Sequence, residues 1–303
     1  MSTSREDRAA PTLAVGLTDL AMLGVVILWG ANVSVSKGTL PAFGAVSFAA
    51  LRCMISSIVL CWLMLRRDGM PSLSRRAWFR IALVGLAGNT LYPFCFALGI
   101  ERTTATNTGI LMGLTPVVVT FGGAWLGWER LNRTLVGGIA VAVTGMVIVV
   151  GARSSSAVQG SLLGDLLAVA GCFCFAAYTL GLRWLRDDAT GLQITALAMV
   201  VGTVPLVVIS APALLATSWA AVPWSAWVGL SYASVIAQCV GYIVWSASVR
   251  TVGGSRTAIY NCLIPVTATI IARVVFHDQL TIVKLVGAVL IVLGILATRR
   301  TSR

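Results

Sequence analysis

The chain has 303 residues, of which 58% are hydrophobic and 11% charged, and its mean hydropathy is +0.92. Soluble domains carry about 25% charged residues, so this composition excludes a soluble globular protein and predicts several membrane spans. A net charge of +12 would suggest nucleic acid binding in a soluble protein. Here the basic residues lie between apolar stretches, where they set orientation in a membrane, so no nucleic acid partner is expected.

Ten apolar stretches are long enough to be membrane-spanning helices, which need roughly 20 residues each. Residues 1–17 before them are expected to form a disordered cytosolic tail. Three prolines divide the uncharged region from 189 to 249, and residues 212–223 are interpreted as an interfacial linker. In chain order the predicted spans are 18–36, 43–65, 79–99, 104–127, 134–151, 162–183, 191–212, 224–247, 256–276 and 281–298.

Basic residues are distributed unequally between the two sides of these spans. With the N-terminus in the cytosol, 16 of the 22 lysines and arginines are cytosolic, five are outside and Arg52 lies within a span. This bias predicts that both termini are cytosolic. The seven cysteines all fall in apolar spans, where an odd number argues against disulfides. Cys172 and Cys174 have no neighbouring histidine or carboxylate, so neither a metal site nor a cofactor is expected.

The two halves of the chain resemble each other. A shift of 149 residues aligns Pro116 with Pro265, and a shift of 146 aligns Asp19 with Asp165. The larger shift also aligns Glu129 with Asp278, Leu131 with Leu280, Gly138 with Gly287 and Gly145 with Gly294. These matches indicate an internal duplication of residues 18–151 as residues 162–298.

Each half contains five spans, an odd number, so the second half must enter the membrane from the opposite side. The predicted fold is therefore an all-α membrane protein with ten transmembrane helices in two inverted-topology five-helix repeats. Such repeats are typical of transporters, which bind substrate near the midplane between the repeats. The alternative is that the duplication only builds a large helical bundle.

Aromatic and amide side chains recur at the middle of equivalent spans. Span 3 contains Asn89 and Tyr92, and the 149-residue shift aligns Asn89 with Gln238 in span 8, which also has aromatic residues nearby. Span 6 contains Phe175. Such groups are costly against lipid, so they either line a cavity or tie helices together. We favour a cavity, because small-molecule sites are mostly apolar with a few fixed polar groups. The candidate substrate-binding residues are Trp29, Asn32, Asn89, Tyr92, Met112, Tyr178, Gln238, Tyr242, Trp245, Tyr260 and Asn261.

Other residues have two interpretations each. Arg52, the intramembrane charge, could bind a substrate carboxylate or lock helices through backbone carbonyls. Pro116 and Pro265 could act as hinges or as passive helix bends. Asp19 and Asp165 open spans 1 and 6, where a helix N-cap or first-turn acid is favoured over an ion carrier.

An enzyme is not expected, because the chain has one histidine, His277, and no carboxylate in the interior of a predicted span. The missing interior carboxylate also argues against a proton antiporter built on an embedded acid, and favours facilitated diffusion or exchange. A membrane scaffold without transport is the remaining alternative.

Several motifs occur in order along the chain. They are Trp29, Gly30 and Asn32 in span 1 with Lys37 at its end, Leu51–Arg52 in span 2, Pro116 in span 4, and Glu129 and Leu131 after it. With this set, the chain resembles the EamA type of the drug/metabolite transporter superfamily over nearly its whole length. It departs from the family at Phe175, where tryptophan is frequent.

The resemblance implies a bacterial inner-membrane exporter of amino acids and related metabolites. Its central cavity would be lined by spans 1, 3, 4, 6, 8 and 9. Independently of the resemblance, we expect a monomer in the lipid bilayer. Within the superfamily, the aromatic-rich candidate residues are similar to those expected of aromatic amino acid exporters of the YddG type. The alternative is an exporter of drugs or other organic solutes, although a cationic drug would require an anionic cavity.

Overall fold

The computed structural model describes residues 10–102, 114–151, 161–267, 270–271 and 282–299. These residues form helices joined by short connections, and no strand occurs among them, which confirms the predicted all-α class. The helices of the N-terminal part are α1 (Ala10–Phe43), α2 (Ala45–Arg67), α3 (Arg75–Gly85), α4 (Tyr92–Arg102), α5 (Thr115–Trp125) and α6 (Arg133–Gly151).

The C-terminal part continues in the same way. Its helices are α7 (Leu162–Trp184), α8 (Gly191–Ala216), α9 (Trp224–Ser231), α10 (Gly241–Val252), α11 (Gly254–Ala258) and α12 (Ile282–Arg299). A 3₁₀ segment, Ile259–Leu263, follows α11. The helix α8 runs through Pro205 and Pro212 to Ala216, so the linker before α9 begins later than the sequence predicts.

Five helices of the described part are long and apolar enough to cross a membrane. They are Ala45–Arg67, Arg75–Gly99, Leu162–Trp184, Gly191–Ala216 and Trp224–Val252. Shorter apolar helices lie at Gly16–Asn32, Arg133–Ile148 and Leu285–Thr298. The helix α1 begins at Ala10, eight residues before the predicted start of span 1.

Side-chain caps fix where several of these helices begin. Ser74 and Ser161 each accept a hydrogen bond at 3.1 Å from the backbone N–H three residues later. Thr190 and Gln193 form a reciprocal capping box at the start of α8, with bonds of 3.0 and 3.2 Å. These caps satisfy N–H groups that have no partner within the helix.

The helices α6 and α12 are in close, antiparallel contact through glycines. A Cβ added at Gly138 would lie 2.8 Å from the carbonyl oxygen of Gly294, and one added at Gly145 would lie 2.5 Å from that of Gly287. These are the glycines that the 149-residue shift aligns. Their lack of side chains lets the two backbones approach, as in other tightly packed membrane helices.

Two π-helical segments interrupt the α-helices nearest the centre. Leu86–Leu91 joins α3 to α4, and Tyr232–Val240 joins α9 to α10. Shifting the first segment by 149 residues places it inside the second. Such segments are rare and frequently lie at functional sites. Asn89 lies in the first and Gln238 in the second, so the amides predicted for the site stand on equivalent backbone irregularities.

Candidate substrate-binding site

Seven aromatic side chains converge from four helices and form what we call the aromatic cluster. Phe175 is at its centre, with ring centroids 4.9 Å from Tyr92 and 5.2 Å from Trp245. Trp29 lies 5.3 Å from Trp245. These tilted and edge-on contacts are the arrangements that aromatic rings prefer. The members are Trp29 on α1, Tyr92 and Phe96 on α4, Phe175 and Tyr178 on α7, and Tyr242 and Trp245 on α10.

Hydrogen bonds and glycines hold the tryptophans of the cluster in place. The indole N–H of Trp29 donates to the carbonyl of Ala237 in the second π segment at 2.8 Å, and its ring lies on Gly241. The indole N–H of Trp245 donates to the Thr179 hydroxyl at 3.2 Å. Both indoles therefore satisfy their one donor, and their rings pack in tilted or edge-on contact with neighbouring rings.

The members of the aromatic cluster differ in how deeply they are buried. Tyr178 and Trp245 are 0% and 1% exposed, whereas Trp29 and Tyr92 are half-buried. Trp29 and Tyr92 therefore keep part of their surface exposed in this conformation. A solute could contact Tyr178 or Trp245 only if the surrounding helices moved. In this conformation these two candidates pack behind the partly exposed rings.

Several buried amide groups around the candidate site have no hydrogen-bond partner among the described residues. Both amide atoms of Asn89 are unpartnered in a side chain that is fully buried. Gln238 donates weakly to the sulfurs of Cys53 and Met199, at 3.5 Å each, while its carbonyl oxygen is unpartnered. The carbonyl oxygens of Asn32 and Asn261 are also unpartnered. Buried polar groups are normally satisfied, so these are places where a ligand could bond.

Arg52 borders the aromatic cluster from α2. Its guanidinium interacts electrostatically with the hydroxyls of Tyr92 and Tyr242. Its Nε is buried without a hydrogen-bond partner, and no carboxylate of the described residues pairs with it. The sequence predicted an intramembrane charge at this position, and in the structure Arg52 is near enough to two of the predicted tyrosines to affect their hydroxyls electrostatically.

Tyr260 differs from the other aromatic candidates. It lies in the 3₁₀ segment, is buried, and donates a hydrogen bond to the carboxylate of Asp19. The sequence interpretation of Asp19 as an N-cap is wrong, because α1 begins at Ala10 and carries Asp19 well inside the helix. The corresponding interpretation of Asp165 is confirmed, since Asp165 lies in the first turn of α7 after the Ser161 cap.

The proline candidates occupy different local structures. Pro116 lies in the first turn of α5, where its missing N–H removes no helix bond. Pro265 follows the 3₁₀ segment, within the helical residues 264–267. Both hinge assignments remain predictions. Met112 is the one binding candidate that lies outside the described residues.

Sequence reasoning did not predict a network that joins the two parts of the chain through Glu129. Its Oε1 accepts from the backbone N–H of Ser255 at 3.1 Å and lies 3.7 Å from Nη1 of Arg183. The Ser255 hydroxyl also donates to this carboxylate. The repeat had marked Glu129 by aligning it with Asp278, but it could not show which residues the Glu129 side chain contacts.

The comparison with protein families agrees with this architecture. The model of the EamA-like transporter family matches residues 16–151 and 162–300, which is nearly all of the chain. The chain belongs to the EamA-like transporter family. It is therefore a membrane transporter, as its apolar helices also indicate.

Relatives of this EamA-family protein that are named as transporters match it over nearly their whole length. The uncharacterized transporter YyaM of Bacillus subtilis is 27% identical, over 94% of each chain. A probable amino-acid metabolite efflux pump of Escherichia coli is 24% identical, over 91% of this chain and 92% of its own. A solved crystal structure superposes with a TM-score of 0.77 at 19% identity, over 95% of this chain and 99% of its own, which shows a common fold.

Proposed function

We propose that this EamA-family transporter exports small metabolites, principally amino acids with aromatic ones among them. The aromatic cluster carries the proposal, because it joins rings from four helices and leaves Trp29 and Tyr92 accessible. Unpartnered amides stand beside it on both π segments. Together they form a mostly apolar surface with a few polar groups, as a small-molecule site requires. The Escherichia coli efflux pump supports amino acids as the solute class.

The mechanism that we propose is alternating access through a central cavity between two inverted five-helix repeats, ten helices in all. Two structural correspondences support the repeat. The π segments fall at equivalent positions, and the aligned glycines of α6 and α12 contact each other crosswise. Gly138 contacts Gly294, the repeat partner of Gly145, and Gly145 contacts Gly287, the repeat partner of Gly138. Elements related by a two-fold axis produce this exchange of partners.

The proposed location is the inner membrane of a bacterium, with the protein a monomer in the lipid bilayer and both termini in the cytosol. The bacterial relatives support the location, and the unequal distribution of basic residues supports the orientation. An exporter of drugs or other organic solutes is the rival function, and a transport assay separates the two.

Transport in proteoliposomes tests the proposal. Purified protein is reconstituted, and flux of radiolabelled phenylalanine, leucine and a quaternary-amine drug is measured. We expect phenylalanine flux above that of empty liposomes, and at least a tenfold fall in Tyr92→Ala, because this half-buried ring is accessible and contacts Phe175. Phe173→Ala is the matched control, since Phe173 lies two residues from Phe175 on α7 but is 57% exposed.

The control variant should transport as the parent does. Drug flux without amino acid flux would replace our proposal with the rival one. Equal flux in Tyr92→Ala and the parent would remove the aromatic cluster from the substrate path, even if amino acids are transported.

A further inference from the structure

Arg52 is a charge in a hydrophobic helix, and none of the described carboxylates pairs with it. It lies two turns from the start of α2, a helix that is apolar enough to cross a membrane. The ion pairs among the described residues involve Arg67, Arg80 and Arg183, and none reaches Arg52. A cation in such a segment is expensive, and proteins keep one there mainly for binding or transport.

Part of the bonding capacity of Arg52 is unused, although its side chain also interacts with the neighbouring Cys53 thiol. Its Nε is buried and has no acceptor. Its neighbours include the Cys53 thiol and the hydroxyls of Tyr92 and Tyr242, and none of these is a carboxylate. A guanidinium presents its N–H donors in a planar fork that matches the two oxygens of a carboxylate. The unpaired Nε–H is therefore free to donate to an anionic acceptor, and a carboxylate fits the shape of the guanidinium fork.

The position of Arg52 indicates what else the ligand contains. Arg52 is near Tyr92 and Tyr242 of the aromatic cluster, in which Trp29 and Tyr92 are among the partly exposed rings. The amide nitrogen of Gln238 donates to the sulfur of Cys53, the residue after Arg52. The carbonyl oxygen of Gln238 has no hydrogen-bond donor among the described residues. An apolar surface, a forked cation and an unpaired acceptor thus belong to neighbouring residues of the same region.

We propose that Arg52 is the specificity-determining residue of this transporter and binds the carboxylate of the transported solute. The apolar part of the solute lies on Trp29 and Tyr92. The Gln238 carbonyl, which is buried in this conformation, accepts a hydrogen bond from the solute's ammonium once the surrounding helices move. The substrate class is accordingly an α-amino carboxylate with an apolar or aromatic side chain. This inference rests on the proposed function and restricts it, because amines that lack the carboxylate are rejected.

The experiment compares carboxylates with matched analogues. In proteoliposomes of neutral lipid, labelled phenylalanine flux is measured with phenylalaninamide or phenethylamine as competitor. Flux is recorded for the parent, Arg52→Lys, Arg52→Gln and the control Arg66→Gln, an exposed arginine at the end of the same helix. Charge-assisted hydrogen bonds contribute about 1.5–3 kcal/mol, so Arg52→Gln should raise KM tenfold or more. Arg52→Lys should retain part of the affinity.

The preference for carboxylates over their analogues shows whether Arg52 binds the solute or only stabilises the protein. In the parent and in Arg66→Gln, both analogues should compete at least tenfold more weakly than unlabelled phenylalanine. In Arg52→Gln this preference should disappear. If that variant unfolds, Arg52→Lys must still show a raised KM with unchanged thermal unfolding. Equal competition in the parent, or a variant that is folded and still prefers the carboxylate, would overturn the inference.

Two further arms test for a bound lipid and for solute binding without transport. If Arg52→Gln alters flux only when anionic lipid is added to the vesicles, Arg52 binds a lipid phosphate and the inference is wrong. If the parent moves no amino acid, quenching of tryptophan fluorescence is titrated with phenylalanine and 3-phenylpropionate against phenethylamine. Arg52-dependent quenching by the carboxylates alone would keep the inference while the proposed function fails, and quenching by the amine would refute both.

Discussion

At the scale of single residues, the candidate site depends on hydrogen bonds that fix large rings in an apolar interior. The Thr179 hydroxyl accepts from Trp245 and donates to the Phe175 carbonyl at 2.9 Å. One buried hydroxyl thus orients an indole and lies beside the backbone of the central ring. No periodicity marks Thr179 in the sequence, because a threonine within an apolar helix usually bonds only to its own helix.

The first prediction concerns this hydroxyl. Thr179→Val keeps the volume but leaves the buried indole N–H of Trp245 without an acceptor, which should lower the stability by about 1–3 kcal/mol. Thermal unfolding in detergent measures the change. Thr144→Val is the control, because its exposed hydroxyl bonds only to the Ala140 carbonyl, one turn earlier. An equal effect of the two substitutions would show that the Trp245 contact contributes nothing.

At the scale of elements, glycines decide how closely helices approach. The contact between α6 and α12 places backbone against backbone at Gly138 and Gly294. In a bilayer the lipid is as apolar as a side chain, so helix association relies on such packing. The glycines that reveal the repeat in the sequence thus have a direct structural reason.

A pair of adjacent glycines tests this contact. A Cβ at Gly138 would lie 2.6 Å from Cγ2 of Thr298 and 2.8 Å from the Gly294 carbonyl oxygen, whereas one at Gly137 would have nothing within 4 Å. Gly138→Ala should therefore cost about 1–3 kcal/mol through overpacking. Gly137→Ala should be neutral or stabilising by up to about 1 kcal/mol, since alanine favours helix. The order of the two unfolding temperatures is the measurement, and the reverse order would contradict the packing.

At the scale of the whole molecule, Glu129 connects the two parts of the chain. Its loop follows α5, while its partners Arg183 and Ser255 belong to α7 and α11. The Glu129 side chain is 12% exposed, so water screens this network less than it screens a surface pair. In an alternating-access movement between the halves, these bonds would either break or move together with both halves.

A double-mutant cycle on Glu129→Gln and Arg183→Gln measures this connection. We expect a coupling of about 1 kcal/mol in unfolding free energy, because the residues share one partly buried network. Arg67 and Asp68 provide the reference pair, at 3.7 Å but with the arginine side chain 74% exposed, where coupling should be near zero. Additive effects at Glu129 and Arg183 would show that the ion pair does not join the halves energetically.

The sequence by itself determined the all-α class, the approximate position of the apolar helices and the membership of a transporter family. Hydrophobic length and the order of short motifs carry this information because crossing a bilayer imposes a minimum apolar length on each helix. The sequence also singled out Trp29, Tyr92, Tyr242 and Trp245. Aromatic and polar residues at mid-span are conspicuous in an otherwise aliphatic chain.

Only the tertiary structure decided which of these residues meet and which of their polar atoms are satisfied. It placed Phe175 among the other rings, paired Tyr260 with Asp19, and paired none of the carboxylates that it describes with Arg52. These outcomes depend on how each helix is rotated and where it bends at a π segment. A helix that is apolar all round carries no stripe to indicate its inward face, because lipid and protein interior are equally apolar solvents for it.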